Sequence, residues 1–290
     1  MGIPFYKVSG AGNDFIALAA PREGADGDGA ALDGAETQPA PADVADWCRR
    51  GLSVGADGLF VIHRRPGGAV RMVYQNADGG RSELCLNGSR CAAELAFSLG
   101  WGSGELELIT DAGTLTCRRR MPGYVDVDLP PGLVGHPEAL PLEHHGQVYK
   151  GWRIEVGIPH YVLPWDRHVA SAPVAEIGSA LRSHRGLGPA GANVNFVRFA
   201  EKRLDVRTFE RGVEAETLAC GTGVVAAAAV GAALGLTHLP ATAITGGGYG
   251  LGLSVRDPEN RTQWTLGGDA RIVHRGEILD GARGLPAPPW

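Results

Sequence analysis

The sequence predicts an α+β fold built as two copies of one plan, and three observations carry that prediction. First, two segments end in a cysteine that opens a glycine-bearing turn and then a hydrophobic helix. They are Glu83-Leu84-Cys85-Leu86-Asn87-Gly88 and Leu218-Ala219-Cys220-Gly221-Thr222-Gly223, with the cysteines 135 residues apart. Second, the surroundings keep nearly the same register. Each cysteine is followed fifteen residues later by a glycine that ends the run, Gly100 and Gly235. Tyr74-Gln75-Asn76 precedes Cys85 as Phe209-Glu210-Arg211 precedes Cys220, and Gly55-Ala56-Asp57 matches Gly191-Ala192-Asn193 at a spacing of 136. Third, the run from Val224 to Leu236 is apolar on every side. It is too short to span a bilayer and suits a helix buried inside a fold, where its alanines let strands approach closely.

The elements follow in order. Residues 3 to 18 read as strand, turn and strand around Ser9-Gly10-Ala11-Gly12-Asn13-Asp14. Ala19 to Ala42, rich in Gly, Ala, Asp and Pro, has no periodicity and reads as a long loop. Asp43 to Arg50 reads as a short helix capped by Asp43, with Gly51 past its end. Strands follow at Leu59 to His63 and Ala69 to Gln75, then the Cys85 helix, then strands near Leu106 to Thr110, Gly113 to Arg118 and Tyr124 to Leu129. Leu129-Pro130-Pro131-Gly132 is the linker candidate. The second half repeats the plan, with strands at Val148 to Val156 and His160 to Leu163, a helix at Val174 to Arg185, strands at Asn195 to Phe199 and Leu204 to Phe209, and the Cys220 helix. Gly281 to Trp290 is a Gly- and Pro-rich tail. The division expected is residues 1–128, completed by 272–290, for the half with Cys85, and 129–271 for the half with Cys220.

At 290 residues each half can bury its own core. A net charge of −5 gives no electrostatic footprint for nucleic acid or an anionic membrane. Met1 to Gly12 lacks the basic and apolar regions of a signal peptide, so the expectation is a cytoplasmic protein with no membrane partner. Five cysteines are an odd number, which favours thiols over a disulfide framework; Cys48 and Cys117 read as core residues.

The two cysteine turns carry the chemistry. Unpaired amides and the macrodipole at a helix N-terminus favour an anion and make a thiol there easier to ionise. The amides of Leu86, Asn87 and Gly88, and of Gly221, Thr222 and Gly223, form a cradle for a carboxylate or phosphate. With a carboxylate held there, one thiolate can remove an α-proton while the opposite thiol delivers another, inverting the centre, and the added charge falls on the carboxylate under the amides. A single Cys-Gly-x-Gly could equally be a packing turn, but two copies at matched offsets are harder to explain that way. A metal site lacks its spacing: Cys85 and Cys91 are too far apart for a short clamp, and His144-His145 has no partners in sequence. Gly10-Ala11-Gly12 lacks the third glycine of a dinucleotide site, and Lys7, Lys150 and Lys202 offer no recognisable Schiff-base context for pyridoxal phosphate.

The chain resembles the diaminopimelate epimerase family over nearly its whole length. The matching motifs are Lys7 through Phe15, Gly55-Ala56-Asp57-Gly58, Asn76-Ala77-Asp78-Gly79, the first cysteine turn through Arg90-Cys91, Pro159-His160, Asn193, Glu210-Arg211-Gly212, and Glu216 through Gly223. The resemblance implies an isomerase without cofactor or metal, acting on a small amino-acid substrate, LL- and meso-diaminopimelate, on the route to lysine and peptidoglycan. It implies two domains, each a mostly antiparallel sheet wrapped around a central helix, and a homodimer. Carried over by motif, Cys85 and Cys220 are the acid/base pair, with His160 and Glu210 beside them to tune or relay protons. Asn13, Asn76, Asn193 and Arg211 take the distal end of the substrate, a role suited to amides and to a fork-shaped guanidinium.

Three departures bear on the substrate. Leu86 replaces the usual glycine after the first cysteine, Ile158 stands where an asparagine often precedes Pro-His, and Val213-Glu214-Ala215 is one residue longer than the commonest pattern. The alternatives are a racemase of another amino acid, such as histidine, on the same fold, and a ligand-binding or redox protein on an inactive scaffold.

Overall fold

The hairpin that begins the chain shows how local sequence sets the fold. In the computed structural model, which describes residues 2–20, 38–256 and 263–282, β1 (Ile3–Gly10) and β2 (Asn13–Ala19) pair antiparallel and close at Gly10 opposite Asn13. The two turn residues, Ala11 and Gly12, have φ of 51° and 88°, which matches the twist of a two-residue hairpin. Ala11 bears its β-carbon in the left-handed region, and its N–H is tied to Asp269 Oδ1 at 2.8 Å.

The elements continue as α1 (Pro41–Cys48), β3 (Gly58–Arg64), β4 (Val70–Asn76), β5 (Arg81–Ser82), α2 (Leu86–Ser98), β6 (Glu105–Thr110), β7 (Gly113–Met121) and β8 (Tyr124–Asp128). After them come β9 (Glu138–His144), β10 (Gln147–Val156), β11 (Ile158–Pro164), α3 (Val174–Arg182), β12 (Asn193–Ala200), β13 (Arg203–Glu210), β14 (Ala215–Thr217) and α4 (Gly221–Ala233). The chain ends with β15 (Ala241–Thr245), β16 (Gly250–Val255), β17 (Trp264–Asp269) and β18 (Arg271–Ile278). It divides into two compact units, Met1–Asp126 with Asp269–Trp290, and Val127–Gly268.

The pairing scheme of one unit is repeated in the other. In the first, β2 and β3 run parallel, β3 pairs antiparallel with β4, β4 antiparallel with β5 and parallel with β6, and β6 antiparallel with β7. In the second, β11 and β12 run parallel, β12 pairs antiparallel with β13, β13 antiparallel with β14 and parallel with β15, and β15 antiparallel with β16. Inside each scheme lies one 13-residue helix, α2 against β1, β4, β6 and β7, and α4 against β10 to β13, β15 and β16. The fold is α+β, a mostly antiparallel sheet around a central helix in each unit. Cys48, Cys91 and Cys117 are buried, and none of the five cysteines is in a disulfide.

Several elements differ from expectation. Helix α1 begins at Pro41 with Ala40 as its N-cap, and Asp43 lies in its first turn. The proline has no N–H to satisfy and a preset φ, so it starts the helix two residues early, while the Asp43 carboxylate still faces the positive end. Strand β9 is not among the expected elements; it contains Pro141, yet it pairs with β10 along its length. Helix α3 stops at Arg182, and β12 begins at Asn193 rather than Asn195. Of the long loop and the tail read from the sequence, residues 21–37 and 283–290 lie outside the described residues.

Candidate active site

Each cysteine sits at the same structural place, the N-cap of the central helix, with extended backbone angles. Extended geometry at this position turns the side chain back over the first helical turn, where the leading amides lack intrahelical partners. The two caps differ in how the sulfur is held. Cys85 is half-buried, and its Sγ accepts from the Gly88 N–H at 3.4 Å, so one amide of the expected cradle is engaged by the sulfur. Cys220 is buried; its Sγ lies 3.5 Å from Thr222 Oγ1 and 4.0 Å from Asn193 Nδ2.

In the first unit Asn13 stands at the start of β2 inside a chain of hydrogen bonds. The Arg90 guanidinium donates to Asn87 Oδ1 at 2.7 Å, Asn87 Nδ2 to Asn13 Oδ1 at 2.7 Å, and Asn13 Nδ2 to Asp57 Oδ2 at 3.0 Å. Asp57 is paired with Arg50 at 2.8 Å, and Asp14 with Lys7 at 2.7 Å and with Arg50. Burial alone would raise the Asp14 carboxyl, but the hydrogen bonds from Arg50 and Lys7 outweigh it and hold the group below the usual carboxylate range. Arg90 is fully buried; burial pulls its pKa down, and one of its nitrogens, Nη1, has no acceptor. Leu86 is buried, and Asn76 is exposed in the turn that runs to Gly80.

The second unit builds its counterpart around neutral side chains. His160 on β11 stands opposite Asn193 on β12, a parallel pairing that places the two residues side by side. Asn193 Oδ1 accepts from the Arg211 N–H at 2.8 Å. Burial holds His160 neutral, pushing it down to about 3 with help from the Arg211 charge. Glu210, half-buried at the end of β13, accepts from Thr217 Oγ1 at 2.9 Å. Arg211 lies one residue past the strand, in the turn, where its guanidinium donates to the Ala190 carbonyl at 3.4 Å. The additional residue of that turn is accommodated by Glu214, whose φ is 57° and whose N–H reaches the Glu210 carbonyl at 2.8 Å. Its carboxylate caps the turn by accepting from the Gly212 N–H at 3.0 Å and from Arg182. Gly221 is buried, and Ile158, at the asparagine position, is exposed.

A family model described as diaminopimelate epimerase matches residues 153–267. A diaminopimelate epimerase from Aquifex aeolicus is 36% identical over 95% of this chain and 98% of its own length. The chain belongs to the diaminopimelate epimerase family. A second member of that family, from Archaeoglobus fulgidus, is 32% identical over 94% of this chain and 95% of its own length. Among solved structures, a phenazine biosynthesis protein of the PhzF family from Enterococcus faecalis has the same fold, with a TM-score of 0.69 over 96% of this chain and 100% of that chain at 17% identity. As a member of the diaminopimelate epimerase family the chain is an isomerase.

Four residues have a place in the site that the sequence did not show: Arg90 and Asp57, quoted only within matching motifs, are the partners of Asn87 and Asn13, and Asn195 with Thr208 stands behind His160. Among the described residues no group of three His, Cys, Asp or Glu side chains could hold a metal, and no helix is long and apolar enough to cross a membrane.

Proposed function

We propose that this protein interconverts LL- and meso-diaminopimelate by moving a proton on and off one α-carbon with two cysteines. The observation that carries the reading is the repeated cap: in each half a thiol stands at the N-cap of the buried helix, above amides that suit a carboxylate. One thiolate takes the α-hydrogen and becomes a thiol. The opposite thiol then gives its proton to the other face of the carbanion and becomes a thiolate, so the turnover ends with the two roles exchanged and no net change in protons. The charge that accumulates on the substrate carboxylate is met by helix-terminal N–H donors. Nothing in this cycle calls for a metal or pyridoxal phosphate, and the product serves the route to lysine and peptidoglycan. Family membership supports the substrate, and Arg211 with Asn193 supplies the polar groups that a distal amino-carboxylate end requires.

The test is exchange of the α-hydrogen of LL-diaminopimelate with solvent in deuterated water, together with appearance of the meso isomer. The expected result is deuterium at the inverted carbon, undiminished after exhaustive chelation. Exchange absent for diaminopimelate but present for histidine would move the assignment to a racemase of another amino acid. The mechanism also requires the Cys85 and Cys220 sulfurs to reach one carbon from opposite sides, so mild oxidation of the substrate-free enzyme is expected to yield a reversible Cys85–Cys220 disulfide.

A further inference from the structure

Behind His160 lies a side chain that none of the motifs above includes. Asn195, two residues along β12 from Asn193, is fully buried, and its amide nitrogen meets three groups: His160 Nδ1 at 3.2 Å, the Tyr161 carbonyl at 3.3 Å and the Asn193 carbonyl at 3.5 Å. Its oxygen accepts from Thr208 Oγ1 at 2.9 Å. An amide could in principle present either end to a histidine ring, and here the two carbonyls decide between them. A carbonyl accepts only, so the atom facing both must be the NH₂. Nδ1 therefore receives a hydrogen bond and carries no proton, and the proton of the neutral ring is on Nε2.

That Nε2 is buried and finds no partner among the described residues. A buried donor left unsatisfied is costly, and such groups concentrate where a ligand completes them. Cys220 does not complete it, although Asn193 brings the two neighbourhoods together. An acceptor that the substrate brings would complete it, and an amino acid's carboxylate is a group with that chemistry. We infer that Asn195 is a positioning residue that fixes His160 as the Nε2–H tautomer, a neutral donor held for the substrate carboxylate. The nature of the acceptor rests on the epimerase reading; the tautomer does not. Burial and the donated hydrogen bond both oppose a second proton on the ring, so the imidazole meets its acceptor as a neutral donor.

The experiment is ¹H–¹⁵N NMR of the full chain labelled in its histidine rings, with His160→Gln identifying the His160 signals. The expected spectrum has Nε2 protonated and Nδ1 unprotonated at neutral pH, and added diaminopimelate moves the Nε2–H proton downfield. In Asn195→Asp a carboxylate replaces the donor, so the proton should shift to Nδ1, with kcat falling about 10²-fold or more and KM changing much less. A protonated Nδ1 in the unsubstituted enzyme would overturn the inference whether or not that variant folds, as would an Nε2–H unaffected by substrate that is demonstrably being turned over. If the tautomer is as expected but no α-hydrogen of diaminopimelate exchanges, the proposed function falls and the role of Asn195 in setting the ring stands.

Discussion

The helix that carries Cys85 and the helix that carries Cys220 have the same length, the same cap and the same strand scheme around them, yet they bury opposite chemistries. On α2, Asn87, Arg90 and Glu94 are all buried; 135 residues later the matching positions of α4 are Thr222, Val225 and Ala229. The strands beneath differ in the same sense. The first half has Asp14 and Asp57 locked to Lys7 and Arg50, and the second joins His160, Asn193 and Asn195 by hydrogen bonds with no ion pair among the three. The plan survives because it depends on a close-packed helix inside a sheet, which either chemistry can supply. In the first half the hydrogen bonds are spent largely on one another. The second half keeps a neutral network; among the described residues each half has an unmet donor, Arg90 Nη1 in the first and His160 Nε2 in the second.

The most severe break of the comparison is at the caps. Serine at either position keeps the hydrogen-bonding shape and loses the acid/base power of sulfur. Cys85→Ser and Cys220→Ser should each lower kcat for epimerisation by about 10²-fold or more, with unchanged circular dichroism. Assays in both directions check this. A loss confined to one variant would show that the halves are structural twins without being chemical ones.

A steric test follows at the first helical turn. A β-carbon on Gly223 would lie 2.3 Å from Asn195 Oδ1, an atom fixed by its hydrogen bonds, whereas one on Gly88 would meet Met72 Cε at 3.2 Å, the free end of a flexible side chain. Alanine also gains about 1 kcal/mol of helix propensity over glycine. Gly88→Ala should therefore be close to neutral, and Gly223→Ala should cost about 2 to 3 kcal/mol in urea unfolding. Equal costs would mean that Asn195 is free to move.

What was legible in the sequence, and what was not, follows from how far apart the interacting residues are. The cysteine caps and the glycines that end both helices are local signals, and Gly100 and Gly235 indeed have φ of 73° and 70° just past them. Helix α4 was legible because it is apolar all round. Arg90 was quoted within the first cysteine turn without a role, because the burial of a cation leaves no mark in the local sequence. Asn195 gave no signal because its meaning depends on a parallel neighbour 35 residues away, and parallel register is written in no local pattern. Strand β9 was hidden by Pro141, and the cap of α1 by the nearby Asp43.

Acidification should separate the halves by their buried groups. His160 is depressed to about 3 from an unfolded value near 6.5, so between these values the unfolded chain binds a proton that the native one refuses. Stability is full above pH 6.5 and falls by about 1.4 kcal/mol per pH unit below it from this group alone. Asp14, held low by Arg50 and Lys7 against burial, contributes stability that is lost only as pH drops below the ordinary carboxylate range; Asp111, brought to about 2 chiefly by its hydrogen bond from Arg81, behaves likewise. From pH 6 to 4.5, hydrogen exchange should therefore quicken first in β11, β12 and α4, with β2, β3 and α2 still protected. His160→Gln should flatten that early slope. Simultaneous loss in both units would show that His160 is not the group that titrates.

The smallest effect on stability is expected where the halves look most different. Arg90 gains one strong hydrogen bond, to Asn87, and a long one to the Asp269 carbonyl at 3.5 Å, while Nη1 stays bare. A charge-assisted bond is worth about 1.5 to 3 kcal/mol, and the desolvation of a buried ion is of the same size or larger. Removing the cation does not strand an anion either, because Asp269 keeps Arg271 at 3.2 Å and the Ala11 N–H. Arg90→Met, which refills the space with a flexible apolar chain, should change unfolding free energy by no more than about 1 kcal/mol in either direction. It should nevertheless raise KM, since Asn87 and then Asn13 lose the bond that orients them. Stability and substrate titrations of the one variant test both halves of the claim, and a large loss of stability with KM unchanged would make Arg90 a fold residue, as Val225 is on α4.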